Sequence, residues 1–173
     1  MTTAADIRAL YEEMILDHNR NPRNFLKKPL ASTHHAHGFN PVCNDEFHVH
    51  LRIADGVIQE AGFEGAGCAI STASASLMTE AIKGRRIEDV RRLFHGVHGL
   101  LTQGEESEEL GKLRILAGVR DYPMRVKCAT LAWHVLNAAL DNLAGTVSTE
   151  EEGGAPPDEC AVTDDSTDEG CAT

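Results

Sequence analysis

From Glu46 to Ile53 the chain alternates. Phe47, Val49, Leu51 and Ile53 fall on one side, and His48, His50 and Arg52 on the other. A period of two is that of a half-buried strand. Asp55-Gly56 follows, a strong short-range hairpin signal. Val57–Phe63 is then the return strand, and Gly65-Ala66-Gly67-Cys68 a flexible turn. Elsewhere the apolar positions recur at helical spacing. Asp6–Arg20 carries Ile7, Leu10, Tyr11, Met14, Ile15 and His18 on one stripe. It ends before Asn21-Pro22, because the residue preceding a proline is driven out of the helical region. Ser71–Lys83 predicts a helix of small residues, stopped by Gly84. Ile87–Leu101 predicts an amphipathic helix with Ile87, Val90, Leu93, Phe94, Val97 and Leu101 inward. Gly96 and Gly99 weaken it by about 1 kcal/mol each relative to alanine. Leu110–Val119 reads as a short helix after an acidic loop, Gln103–Glu109. Tyr122-Pro123 breaks the chain. Val126–Leu143 is the last long helix, with Trp133 and Leu136 on its core face. Lys27–Asn40 reads as a connector or a poor strand. This order predicts an α+β domain, a small antiparallel sheet packed against several helices.

Charge changes the picture at one end only. The chain has 173 residues and a formal charge of −11. Nine acidic residues and no Lys or Arg lie from Thr146 onward, which leaves 18 acidic against 16 basic residues before it. Residues 1–145 are therefore expected to form one nearly neutral domain. Residues 146–173 are expected to be an acidic disordered tail, with too few large apolar side chains to order itself. A near-neutral body lacks the basic footprint of nucleic-acid binding. No apolar run is long enough to cross a membrane. Ala4–Leu16 carries Asp6, Arg8, Glu12 and Glu13 rather than a signal-peptide core. A cytoplasmic protein with reduced thiols is expected.

Five cysteines under reducing conditions favour metal or sulfur chemistry over disulfides. Cys160 and Cys171 lie in the tail and read as spectators. Cys43, Cys68 and Cys128 lie in the body, each at a predicted boundary: before the hairpin, after it, and in the first turn of the last helix. Helix starts favour thiolate over thiol. Asp45, two residues after Cys43, adds a carboxylate on the same side. Together these four side chains make a tetrahedral zinc set of three sulfurs and one oxygen. Asp is a hard ligand in a soft set, which suggests a site built to open. Arg125 and Lys127 stand close in sequence and would offset its negative charge. The plainer reading treats each cysteine as a small buried hydrophobe, and no CxxC pair decides between the two. His34, His35, His37, His48 and His50 suggest a second metal patch. Lacking a further ligand, they read as a polar solvent face. Glu105, Glu106, Glu108 and Glu109 read as a solvated loop, and Asp17 and His18 as packing or partner contacts.

Several stretches resemble the U-type iron–sulfur assembly proteins, the IscU/NifU N-terminal family, and its SufU branch above all. They are Leu10-Tyr11, Ile15–His18, Asn21–Asn24, Asn40–Asp45 (NPVCND), Phe63–Gly84 (FEGAGCAISTASASLMTEAIKG) and Arg125–Trp133 (RVKCATLAW). The resemblance implies a SufE/NifU-like, IscU-like fold, with Cys43, Asp45, Cys68 and Cys128 as metal ligands. Asn44 stands where the family commonly has glycine. Lys127 stands where IscU-type scaffolds have histidine. Gly104–Val119 resembles a SufU insertion, and Tyr122–Lys127 replaces the IscU-type Leu-Pro-Pro-Val-Lys motif. The SufU likeness implies a zinc-dependent, sulfurtransferase-like relay. Such a protein accepts persulfide sulfur on Cys43 from a SufS-type cysteine desulfurase, stimulates that enzyme, and works with other SUF assembly proteins. The alternative is a scaffold that binds iron and builds a [2Fe–2S] cluster on the same ligands. A third reading is a zinc-stapled interaction domain without sulfur chemistry.

Overall fold

The computed structural model describes residues 3–142 and 146–148. Helix α1 spans Ala4–Arg20 and starts at Thr3, whose side chain accepts from Asp6 N while Asp6 accepts from Thr3 N, a reciprocal capping box. It ends at Asn21, as the following proline requires. Its buried stripe is narrow. Ile15 and His18 are buried, whereas Leu10, expected inward, is 56% exposed, because α1 packs by one edge only. His18 is a packing residue, its Nδ1 lying 2.7 Å from Ser76 Oγ.

Three antiparallel strands follow: β1 (His34–Asn40), β2 (Asp45–Ala54) and β3 (Val57–Ala66). The segment expected as connector or poor strand is thus partly a full strand. Its sequence hides this, since three histidines and a glycine occupy it. It is held by pairing, from His34 opposite Leu51 to Asn40 opposite Asp45. Asp55 and Gly56 turn β2 into β3 with φ of 54° and 72°, the mirror-image turn whose twist suits a hairpin. A fourth strand, β4 (Thr146–Ser148), runs parallel to β1, giving the order β3-β2-β1-β4. The tail expected from 146 therefore begins on the sheet; residues 149–173, Cys160 and Cys171 lie outside the described residues.

Helices α2 (Ala69–Ile82), α3 (Ile87–Gln103) and α4 (Pro123–Leu140) complete the fold. Phe47, Val49 and Leu51 of β2 and Ile58 and Phe63 of β3 are fully buried, together with Leu131, Leu136 and Trp133 of α4. Helix α2 is buried nearly all round, and its run Ala73-Ser74-Ala75-Ser76 lets neighbours approach closely. Its hydroxyls are spent internally: Ser74 Oγ donates to Ala129 O at 2.6 Å and accepts from Trp133 Nε1 at 3.2 Å.

Two expectations change here. Residues Glu108–Val119 form 3-10 turns, broken at Gly111 (φ 51°), rather than an α-helix. Leu110, Leu113, Leu116 and Val119 are its buried residues, and a spacing of three suits three residues per turn. Helix α4 starts at Pro123, not Val126. Proline has no N–H to lose at a first helical position and its φ already suits the helix. Cys128 is therefore in the second turn, beyond the free N–H groups of the helix start.

Candidate metal centre

Pro41–Asn44 is the four-residue turn joining β1 to β2, between the paired residues Asn40 and Asp45. Cys43 thus sits on a hairpin turn rather than at the end of an open loop. The turn is organised by Asn40, fully buried, whose Oδ1 accepts from Val42 N at 2.9 Å and Cys43 N at 3.4 Å. Asn44 closes it at φ 56°, a left-handed conformation that asparagine adopts more readily than most residues. The change from glycine at this position is accommodated.

Asp45 is 1% exposed, where an unpaired carboxylate is costly. Its Oδ1 accepts from Cys68 N at 2.8 Å, and its Oδ2 lies 3.9 Å from Cys68 Sγ. The carboxylate therefore ties the end of β3 to the start of β2. Gly65 makes the approach possible. At φ 131°, its Cα lies so close to β2 that a Cβ would stand 2.0 Å from Glu46 O. Cys68 is the N-cap of α2, its sulfur accepting from Ser71 N at 3.4 Å. Cys128 is delivered by α4, and its Sγ lies 2.9 Å from Cys43 Sγ.

Cys43, Asp45 and Cys128 bring ligand atoms within 4.8 Å of one another. Cys68 borders this group through Asp45 and caps α2. Exposure is graded: Cys68 is exposed, Cys43 half-buried and Cys128 buried. The Cys128 pKa is pushed far up, first by burial, then by the Cys43 contact and the charges of Cys68 and Asp45. Without a cation, Cys128 remains a thiol. Three sulfurs and a carboxylate match the donor chemistry of zinc. Arg125 is exposed and its guanidinium lies over the Tyr122 ring, 4.6 Å from the centroid. Lys127 is half-buried.

At the start of α2 lies a groove of about 560 Å³, framed by α1, Ile70, the 3-10 turns and the start of α4. Leu16 and Tyr122 line it and are 46% and 42% exposed. Tyr11 Oη is buried there with no partner among the described residues, and burial raises its pKa. Tyr11 lies on the helical stripe and in the Leu10-Tyr11 stretch of the resemblance, and neither pattern reveals this buried hydroxyl. Asn40 was likewise passed over, although asparagine before a turn commonly accepts from the backbone two residues on. The histidines differ from a plain solvent face: His50 is 3% exposed and bonded to Glu64 Oε1 at 3.0 Å. Among the described residues no helix is long and apolar enough to cross a membrane.

Comparison with known proteins fits this geometry. The chain is 38% identical over 157 residues to the zinc-dependent sulfurtransferase SufU of Bacillus subtilis, covering 89% of this chain and 99% of that protein. It is 40% identical over 140 residues to the iron–sulfur cluster assembly scaffold protein IscU of Thermotoga maritima, covering 79% and 96%. The crystal structure of FiSufU, a SUF-system protein from Fervidobacterium islandicum, superposes with a TM-score of 0.71 at 31% identity, over 77% of this chain and 98% of that one. The family model of the NifU-like N-terminal domain matches residues 10–129, and the chain belongs to that family.

Proposed function

We propose that this protein works in iron–sulfur cluster assembly as a zinc-dependent acceptor of persulfide sulfur from a SufS-type cysteine desulfurase. The observation that supports it is the convergence of Cys43, Asp45 and Cys128 within 4.8 Å, bordered by Cys68. These four residues are the assigned ligands. Zinc bound there keeps thiolates formed in a setting that otherwise holds Cys128 as a thiol.

Cys43 is the assigned acceptor. Its turn is held by one asparagine side chain, whereas Cys68 caps a helix and Cys128 is buried. The Cys43 thiolate attacks the terminal sulfur of the desulfurase persulfide. A new sulfur–sulfur bond forms on Cys43, the old one breaks, and the desulfurase cysteine leaves as thiolate with no net oxidation. Asp45, Cys68 and Cys128 would be the residues left to hold the cation while Cys43 reacts. The groove between α1 and the start of α4 is assigned to contact with the desulfurase. Arg125 and Lys127, near the site in sequence, are assigned to offset its charge.

The test is a desulfurase assay on the zinc-loaded protein with persulfide mapping by mass spectrometry. Stimulation, with the added mass on Cys43, is expected. Undiminished stimulation by Cys43→Ala would defeat the assignment. The likeness to the Thermotoga IscU favours a second reading, a scaffold for a [2Fe–2S] cluster on the same ligands. Anaerobic reconstitution with iron and sulfide, then transfer to an apo-ferredoxin, separates the two.

A further inference from the structure

The outer face of the sheet carries a second concentration of ligand atoms. Adjacent residues of a strand point to opposite faces, so Glu46 leaves β2 on the side away from Asp45. The β1–β2 register sets His37 directly opposite His48 and places Glu46 one step from that pair. Four imidazoles gather there. His37 stacks on His48 with ring centroids 4.2 Å apart, and His35 stacks on His50 at 4.6 Å. His35 Nε2 lies 3.1 Å from His48 Nδ1.

We propose that His37, Glu46 and His48 form a second metal site, for a borderline divalent transition ion such as Zn²⁺ or Ni²⁺, separate from the thiol cluster. Their ligand atoms lie within 4.8 Å of one another. His37 Nε2 and Glu46 Oε1 already face each other at 2.7 Å across one proton, a position a divalent cation can take over. His48 supplies the third donor. Two imidazoles and a carboxylate suit a borderline ion and leave positions open to water. The site is reachable, since the His37 and Glu46 side chains are 26% and 53% exposed. His35 is placed to accept from or donate to the second nitrogen of His48, as partners of metal-binding histidines do. An independent sign comes from His50 in the same stack. It is 3% exposed, yet its Nδ1 has no partner among the described residues. The imidazoles are thus held close together without their hydrogen bonding being complete.

The proposal does not rest on sulfur transfer. The test uses the full chain without an affinity tag, with its thiols first saturated by zinc, titrated with Ni²⁺ by calorimetry. One further equivalent is expected, without a sulfur-to-nickel charge-transfer band. His37→Gln and His48→Gln should each weaken it by more than about tenfold, the lower end of what losing even a partner of a metal-binding histidine costs. Both side chains face outward, and unfolding curves of the metal-free variants verify that they fold. A second measurement needs no variant: on adding Zn²⁺ beyond the first equivalent, the ring resonances of His37 and His48 should shift together. Absence of a further equivalent, a Ni²⁺ affinity unchanged in both variants, or shifts confined to other histidines would each overturn the site.

Discussion

Asn40 carries more of the metal centre than its size suggests. It is fully buried and its side-chain oxygen holds two N–H groups of the cysteine turn. Asn40→Ala removes that acceptor and leaves those donors to find others. A loss of about 1–3 kcal/mol in unfolding free energy is expected, measurable by urea titration, together with weaker zinc binding. His18 makes a pH prediction. Burial, with Arg23 next, lowers its pKa; Lys112 acts the same way more weakly, while Glu80 and Asp17 oppose. Above about pH 6.5 the imidazole is neutral folded or unfolded and contributes no pH dependence. Below that, the unfolded chain takes up the proton first, so stability falls until the folded His18 also protonates. His18→Gln should flatten this decline as pH falls below about 6.5, read in unfolding curves.

At the scale of elements, the centre depends on where strands end. Gly65 lets β3 pass against β2, and Cys68 follows three residues later. Gly65→Ala would set a methyl group 2.0 Å from Glu46 O, so the strand end must move and carry Cys68 with it. Reduced zinc content by elemental analysis is expected, with a stability loss of about 1–3 kcal/mol. The groove between α1 and α4 gives a contrasting test. Leu16 is 46% exposed, so Leu16→Glu should change stability by less than about 0.5 kcal/mol. If the groove receives the desulfurase, this variant should keep its zinc and lose stimulation. Unchanged stimulation would remove the groove from the proposed interface.

For the whole molecule, a cation held by the proposed ligands would join the β1–β2 turn, the start of α2 and the second turn of α4. The core around Phe47, Phe63 and Trp133 is a continuous apolar cluster that also draws residues from α1, α2, α3 and α4, such as Ile15, Met78, Val90 and Leu131. Chelation should therefore lower the melting temperature while leaving the far-ultraviolet dichroism and a cooperative transition. The stabilisation lost is about 4 kcal/mol when free zinc exceeds its dissociation constant about a thousandfold. Unfolding on chelation would mean that the cation holds the fold itself.

Much of this architecture is written locally. The alternation of Phe47, Val49 and Leu51, the Asp55-Gly56 turn and the small-residue helix after Cys68 each follow from backbone chemistry within a few residues. Cys43 and Asp45, by contrast, meet across a tight turn with Asn44 at φ 56°, not along an extended segment. Three features are not local. Strand β1 exists because its histidines pair with β2, and no propensity of His34–Asn40 announces it. The start of α4 at Pro123 turned on whether the proline began a helix or interrupted the chain. The sequence allowed both, and packing selected the first. The donor atoms of Cys43, Asp45 and Cys128 meet only because the register sets Asn40 opposite Asp45 and α4 packs on the sheet with Cys128 toward the turn. The residue types for metal chemistry are thus fixed by sequence, whereas their separation is fixed by strand register and helix packing. Those are long-range contacts, so a chain read in order cannot measure them.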